Sequence, residues 1–236
     1  MRIACWSGPR NISTALMRSW SSRKDTAVID EPFYAYYLKQ KGLEHPMHKE
    51  ILKNYSINYE DIVGKLISDI PQKKKIWYQK HMSHHLIDFK NIDWIKKFEN
   101  CILIRQPNEV INSYTEKNKL YSIEELGYPQ QYKIVKFLQK SDKSFIVIDS
   151  SDLLKNPENA LSKWCKKINI NFDKSMLSWE KGNHPNDGIW WKHWYENVIE
   201  STGFQKLKKR DISIESKYDS IYNEAMKYYN YLSKFK

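Results

Sequence analysis

Five short apolar runs, at residues 2–6, 26–30, 75–79, 101–105 and 144–149, punctuate the first two thirds of the chain and have the β-branched and aromatic character of buried strands. Most are separated by segments of helical period, at 13–22, 34–40, 59–70, 108–119, 131–139 and 157–168. Strands separated by helix-length connections pair in parallel, and right-handed crossovers then cover both faces of the sheet. The alternation predicts an α/β fold of three layers, a central parallel sheet of about five strands between helices. Asn156 before Pro157, and Pro107 before Asn108, mark helix starts. After residue 170 the strand signal stops, and 190–199 and 218–235 read as helices. The expectation is one domain over 1–236, with an α/β core to residue 170 and a helical C-terminal extension over 171–236.

A chain of 236 residues is long enough to bury a sizeable core. Its formal charge of +11 is almost all lysine, 33 Lys against 6 Arg, and the longest run is Lys73-Lys74-Lys75. Charge scattered in this way reads as a solvated basic face rather than a nucleic-acid stripe. The three cysteines, Cys5, Cys101 and Cys165, have no C-x-x-C spacing, and Cys5 and Cys101 sit in strand-like runs as small hydrophobes. Free thiols fit a reducing compartment. No apolar run approaches the roughly 20 residues that span a bilayer, and Ser7-Gly8-Pro9-Arg10 interrupts any signal-peptide core. A cytoplasmic location is the expectation.

The turn after the first strand reads SGPRNIST, residues 7–14. In an open parallel sheet, ligands bind beyond the carboxyl ends of the strands, where helix N-termini present N–H groups without intrahelical partners. Such a turn can cradle a phosphate or sulfate. Arg10 adds a planar fork of donors, and Ser13 and Thr14 add hydroxyls. Gly8 begins a Walker A register, yet Ser13, Thr14 and Ala15 stand where that motif has its second glycine, its lysine and its magnesium-binding hydroxyl. This counts against a small-molecule kinase using ATP.

A second block, CILIRQPNEVINSY at 101–114, ends a strand at Arg105 and carries Ser113 two turns into the next helix. Together the two blocks resemble the P-loop sulfotransferase family, whose first loop reads P-[KR]-S-G-T-T and whose later strand reads R-x-P-x-x-x-x-x-S-Y. Here these become Pro9-Arg10-Asn11-Ile12-Ser13-Thr14 and Arg105-Gln106-Pro107 followed by Ser113-Tyr114. A third block, Asp152-Leu153 with Asn156-Pro157, falls in the same order. The resemblance implies a P-loop NTPase-like fold and transfer of a sulfuryl group from 3′-phosphoadenosine-5′-phosphosulfate to a hydroxyl or amine of a small-molecule acceptor, with no metal required. It implies that Arg10, Asn11, Ser13 and Thr14 hold the 5′-phosphosulfate, and that Arg105 and Ser113 hold the 3′-phosphate. Ile12 stands where the family has its loop glycine. The family's C-terminal R-K-G-x-x-G-D-W block has its nearest counterpart in residues 200–204, ESTGF. A protein that binds nucleotide or phosphate without transfer is the alternative reading.

An attacking hydroxyl must lose a proton, so a base belongs near the first turn. The third strand ends in Lys80-His81, similar to a K-x-H segment of many family members with the spacer missing. Imidazole titrates near neutrality and suits a base, while Lys80 could neutralise the leaving oxygen. Glu31, at the second strand's end, is the rival base, since some carbohydrate-directed members use a glutamate; its bland role is as a partner for Arg10 or a helix cap. His81 and His85, if helical, would share a face, but two imidazoles without an H-E-x-x-H or cysteine set are too few for a metal site. The aromatic stretch 184–204 reads as one helix face packed on the sheet, or as an acceptor-pocket wall with His184 and His193 as polar contacts.

Overall fold

A computed structural model describes residues 1–87, 89, 91–205 and 213–236. Its strands are β1 (Arg2–Ser7), β2 (Thr26–Asp30), β3 (Ile76–Met82), β4 (Glu99–Ile104) and β5 (Phe145–Asp149), all parallel, in the order β2-β3-β1-β4-β5. All five correspond to the expected runs. The chain fills the β2-β3 side first and then crosses to the β4-β5 side. The change of direction leaves a crevice at the carboxyl end of β1, where open α/β sheets bind their ligands.

Both faces of the sheet are covered. Ile3 and Cys5 of β1 share one face with Ile76, Tyr78, Cys101 and Leu103. There they meet Leu16, Met17 and Trp20 of α1 (Ser13–Ser21) and Leu161 and Trp164 of α8 (Pro157–Lys167). Ala4 and Trp6, one residue out of phase, face the other way with Ile102 and Ile104. That side packs α4 (Tyr59–Leu66), α5 (Pro107–Thr115), α6 (Tyr128–Lys140) and α11 (Asp219–Leu232). All three cysteines are buried and free. Asn156 caps α8 by accepting from the Asn159 N–H, with Pro157 at the first helical position.

The remaining helices are α2 (Tyr34–Lys41), α3 (His48–Asn54), α7 (Ser150–Lys155), α9 (Trp191–Trp194) and α10 (Glu196–Ile199). The expected helix over 190–199 is broken in two at Tyr195, whose side chain is drawn into the core. The helix beginning at Tyr59 stops at Leu66, shorter than its periodicity suggests, and α3 and α7 carried no clear sequence signal. The C-terminal part is largely helical and adds one isolated antiparallel bridge, Ser178 to Gly203. It is tied to the sheet through α11, where the Tyr229 hydroxyl donates to Asp149 Oδ2 at the end of β5. Among the described residues no helix is long and apolar enough to cross a membrane.

Candidate active site

The turn from β1 to α1 holds a strained backbone. Arg10 has φ 62° and Ile12 φ 58°, both in the left-handed region. L-residues there cost about 1–2 kcal/mol each, and a β-branched residue is the least expected. Ile12 thus keeps the backbone shape that a glycine would adopt freely. Neighbouring ties hold the turn in place. Asn11 is buried and its Nδ2 donates to the Leu103 carbonyl at 3.1 Å, while Gln131 Nε2 donates to the carbonyls of Trp6 and Leu103. At Gly8 a Cβ would lie 2.2 Å from the Leu126 carbonyl oxygen, so this position tolerates no side chain.

The first intrahelical bond of α1 runs from the Leu16 N–H to the Ile12 carbonyl, leaving the N–H groups of Ser13, Thr14 and Ala15 without helical acceptors. No side chain caps this end and no acidic residue sits in its first turn. Arg10 stands beside it, and its Nε donates to Ser113 Oγ at 2.9 Å. Among the described residues no carboxylate pairs with Arg10. Burial lowers its pKa; Glu116, farther away, works against that, and Arg105 adds to it. A half-buried guanidinium and open helix amides without an internal counter-charge fit an anionic ligand.

Arg105 follows the last residue of β4. Its Nη1 donates to the Arg10 carbonyl at 2.7 Å, and its Nε pairs with Glu109 at 2.6 Å. The two sequence blocks therefore interlock directly, through Arg10 with Ser113 and Arg105 with Arg10. Arg10, Asn11, Ser13, Thr14, Arg105 and Ser113 all line one cleft of about 910 Å³.

Lys80 lies at the other end of the same cleft, almost wholly buried. Its ammonium donates to Asp30 Oδ1 at 2.8 Å, Glu31 Oε1 at 2.6 Å and the Tyr195 hydroxyl at 2.7 Å. Tyr195 in turn donates to Asp30 Oδ2 at 2.6 Å and accepts from Trp190 Nε1 at 3.1 Å. Burial opposes the charge on Lys80, but Asp30 and Glu31 outweigh it and raise its pKa. Burial raises the pKa of Glu31; Lys80 pulls it back and Asp30 pushes it up again. Glu31 also has φ 41°, a strained turn that aims its carboxylate into the cleft. Its Oε1 is committed to Lys80, whereas Oε2 accepts no hydrogen bond among the described residues and lies 3.9 Å from His85 Nδ1.

His81 is elsewhere. Successive strand residues point to opposite faces, so Lys80 in the cleft sends His81 to the other side of the sheet. There it stacks on Trp6 at 4.3 Å and donates from Nε2 to Gln79 Oε1 at 3.2 Å. Burial drops its pKa to about 3. The structure thus brings Glu31 and Lys80 to the cleft and leaves His81 out of it. Glu31 pairs with Lys80 rather than with Arg10. His81 lies in β3 and His85 in a 3₁₀ turn, so the two do not share a helix face.

The cleft's second half is lined by Tyr34, Tyr37, His45, His84, His85 and Trp194. Of these Trp194 belongs to the aromatic stretch 184–204, for which a pocket wall is one of the two sequence readings. His184 and His193, the polar contacts of that reading, are not in the lining; His184 bonds to the Glu180 carbonyl. Trp190 is fully buried under α2 and α3, as core packing requires. Ser201, Gly203 and Phe204, of the 200–204 segment, line the cleft as well. The signal for Lys80's partners was the Asp30-Glu31 tandem at a strand end. Tyr195, 115 residues along the chain from Lys80, left none.

With this geometry, the chain matches the family described as Sulfotransferase domain over residues 1–234, and it belongs to that family of sulfuryl-transferring enzymes. Two curated relatives from Arabidopsis thaliana are similar over 230 residues, at 35% and 34% identity: branched-chain-amino-acid aminotransferase-like proteins 1 and 2. The match covers 98% of this chain but 41% of each relative, so the chain spans less than half the length of those proteins. Solved structures with the same fold include the sulfotransferase domain from the curacin biosynthetic pathway (TM-score 0.58, 16% identity, 97% of this chain and 96% of that one). Another is mouse sulfotransferase SULT7A1 complexed with PAP (TM-score 0.55, 13% identity, 99% and 88%).

Proposed function

We propose that this chain transfers a sulfuryl group from 3′-phosphoadenosine-5′-phosphosulfate to a small-molecule acceptor, with Glu31 as the base. The observation that carries this reading is the division of one cleft into an unpaired cationic turn and a carboxylate with one uncommitted oxygen. Family membership and the PAP-bound fold relative support the donor. Arg10, Asn11, Ser13, Thr14 and the α1 amides hold the 5′-phosphosulfate, and Arg105 with Ser113 holds the 3′-phosphate.

In this reading the acceptor's oxygen attacks sulfur, its proton passes to Glu31 Oε2, and the bond from sulfur to the 5′-phosphate oxygen breaks, releasing adenosine 3′,5′-bisphosphate. Charge spreads over the transferred group's oxygens, so fixed donors supply much of the rate enhancement. Lys80 holds Glu31 in place through the 2.6 Å bond to Oε1. His81, buried and with its pKa near 3, does not serve as the base.

A calorimetric titration with adenosine 3′,5′-bisphosphate, ATP and AMP tests the donor. The bisphosphate is expected to bind at least tenfold more tightly than AMP. Equal affinity for bisphosphate and AMP contradicts the reading, and tighter binding of ATP supports a kinase instead.

A further inference from the structure

Glu109 lines the same cleft as Arg10 and Arg105, yet no step of the transfer uses it. It sits in the first turn of α5, where a carboxylate suits the helix dipole without needing a partner. Its Oε2 nevertheless accepts from Arg105 Nε at 2.6 Å. The two side chains are partly exposed, and an ion pair of that kind adds little to stability. Its effect is to fix the direction of the arginine.

A guanidinium carries five N–H groups in one plane. Glu109 takes the one on Nε, and the Arg10 carbonyl takes one on Nη1 at 2.7 Å. The Arg105 carbonyl accepts from the Tyr128 hydroxyl at 2.7 Å, so the residue is tied at its backbone and at its head. The other N–H of Nη1 and both of Nη2 have no partner among the described residues. They form the outer edge of the fork, which can take two oxygens of a phosphate side by side. Arg10 is held in the same way: its Nε donates to Ser113 Oγ at 2.9 Å, and its Nη groups have no partner among the described residues. Ser113 lies four residues after Glu109, one turn further along the same face of α5. One helix face thus grips both arginines at Nε and leaves both forks open.

We infer that Glu109 is a positioning residue for the 3′-phosphate, holding the Arg105 guanidinium in its binding orientation before the nucleotide arrives. This rests on the sulfuryl-transfer reading above and assigns a further residue to its donor site. An untethered arginine must be ordered when it meets an anion, and ordering one long side chain lowers affinity by a factor of about two to ten. Glu109 supplies that order within the fold. Its charge acts in the opposite sense, since a carboxylate beside Arg105 repels a phosphate. Two neutral substitutions separate the effects: glutamine keeps an oxygen that can accept from Nε, and alanine does not.

The test is calorimetric titration of adenosine 3′,5′-bisphosphate and of AMP into the wild type, Glu109→Gln and Glu109→Ala. The bisphosphate should bind about fivefold more weakly to Glu109→Ala than to Glu109→Gln. AMP, which lacks the 3′-phosphate, should bind the two variants alike, because Asn11 still anchors the β1–α1 turn to the Leu103 carbonyl. The AMP arm also reports that both variants are folded. In an Arg105→Ala background the difference between the two substitutions should vanish, since Glu109 acts through that arginine. Equal bisphosphate affinity of the two variants, an equal fall for both nucleotides, or a difference that survives Arg105→Ala overturns the inference. A wild type that binds the bisphosphate no better than AMP would instead overturn the sulfuryl-transfer reading beneath it.

Discussion

The two halves of the cleft treat charge in opposite ways. At the β1–α1 turn, Arg10 and the open α1 amides have no carboxylate partner among the described residues, which leaves them open to an anionic ligand. At the β2 and β3 ends, Lys80 meets two carboxylates and a tyrosine hydroxyl before any ligand arrives. The first set of groups is left unsatisfied among the described residues, whereas the second is satisfied within the fold. Substitutions in the first half should therefore change affinity, and substitutions in the second should change stability.

The contrast breaks most sharply at Lys80. Lys80→Met leaves Asp30 buried without its cation, and losing one member of a buried pair costs about 3–5 kcal/mol. Urea unfolding should show a loss of that size, and a loss under 1 kcal/mol would mean that the pairing is not structural.

Acid should act through two buried imidazoles, His84 in that half and His81 behind it on the other face of the sheet. His81 and His84 are neutral in the fold with pKa values near 3, depressed from the ordinary value near 6.5. Above pH 6.5 neither state binds these protons. As pH falls from about 6.5 toward 3 the unfolded chain binds them first, so stability is lost by about 1.4 kcal/mol per pH unit for each histidine. Unfolding midpoints measured between pH 7 and 5 should fall accordingly, and His81→Phe should flatten the slope by one proton.

Arg10→Ala belongs to the other half. It should weaken adenosine 3′,5′-bisphosphate by about 1.5–3 kcal/mol, the worth of a charge-assisted contact, and leave the melting temperature nearly unchanged. A marked fall in melting temperature would show that the guanidinium is structural. Ile12→Gly is the mildest change: relief of about 1–2 kcal/mol of left-handed strain is offset by glycine's greater unfolded-state freedom. Stability should move by less than about 1 kcal/mol by the same balance, with bisphosphate affinity retained as the calorimetric check.

Much of this architecture was legible because the strands carry dense apolar runs and the helices start at Pro157 and Pro107. The β1–α1 turn stood out in the sequence because its residue types, spacing and place after β1 all suit an anion. His81 was misdirected for a physical reason. Lys80 and His81 are neighbours in a strand, so one side chain facing the cleft turns the other away. The half of the cleft around Lys80 left less trace, since His45, Tyr34, His85 and Trp194 meet only after the chain has folded across the sheet. Tyr195 was hidden in an amphipathic pattern that reads as one continuous helix, and the helix breaks at this residue, whose hydroxyl accepts from Lys80.

The division of labour within the cleft is tested most directly by calorimetric titration of adenosine 3′,5′-bisphosphate into the wild type, Arg10→Ala and Glu31→Gln. The account predicts at least a tenfold loss of affinity for Arg10→Ala and affinity within about twofold of wild type for Glu31→Gln, since about 1.4 kcal/mol is one factor of ten. Equal losses in the two variants, or a larger loss for Glu31→Gln, would contradict it.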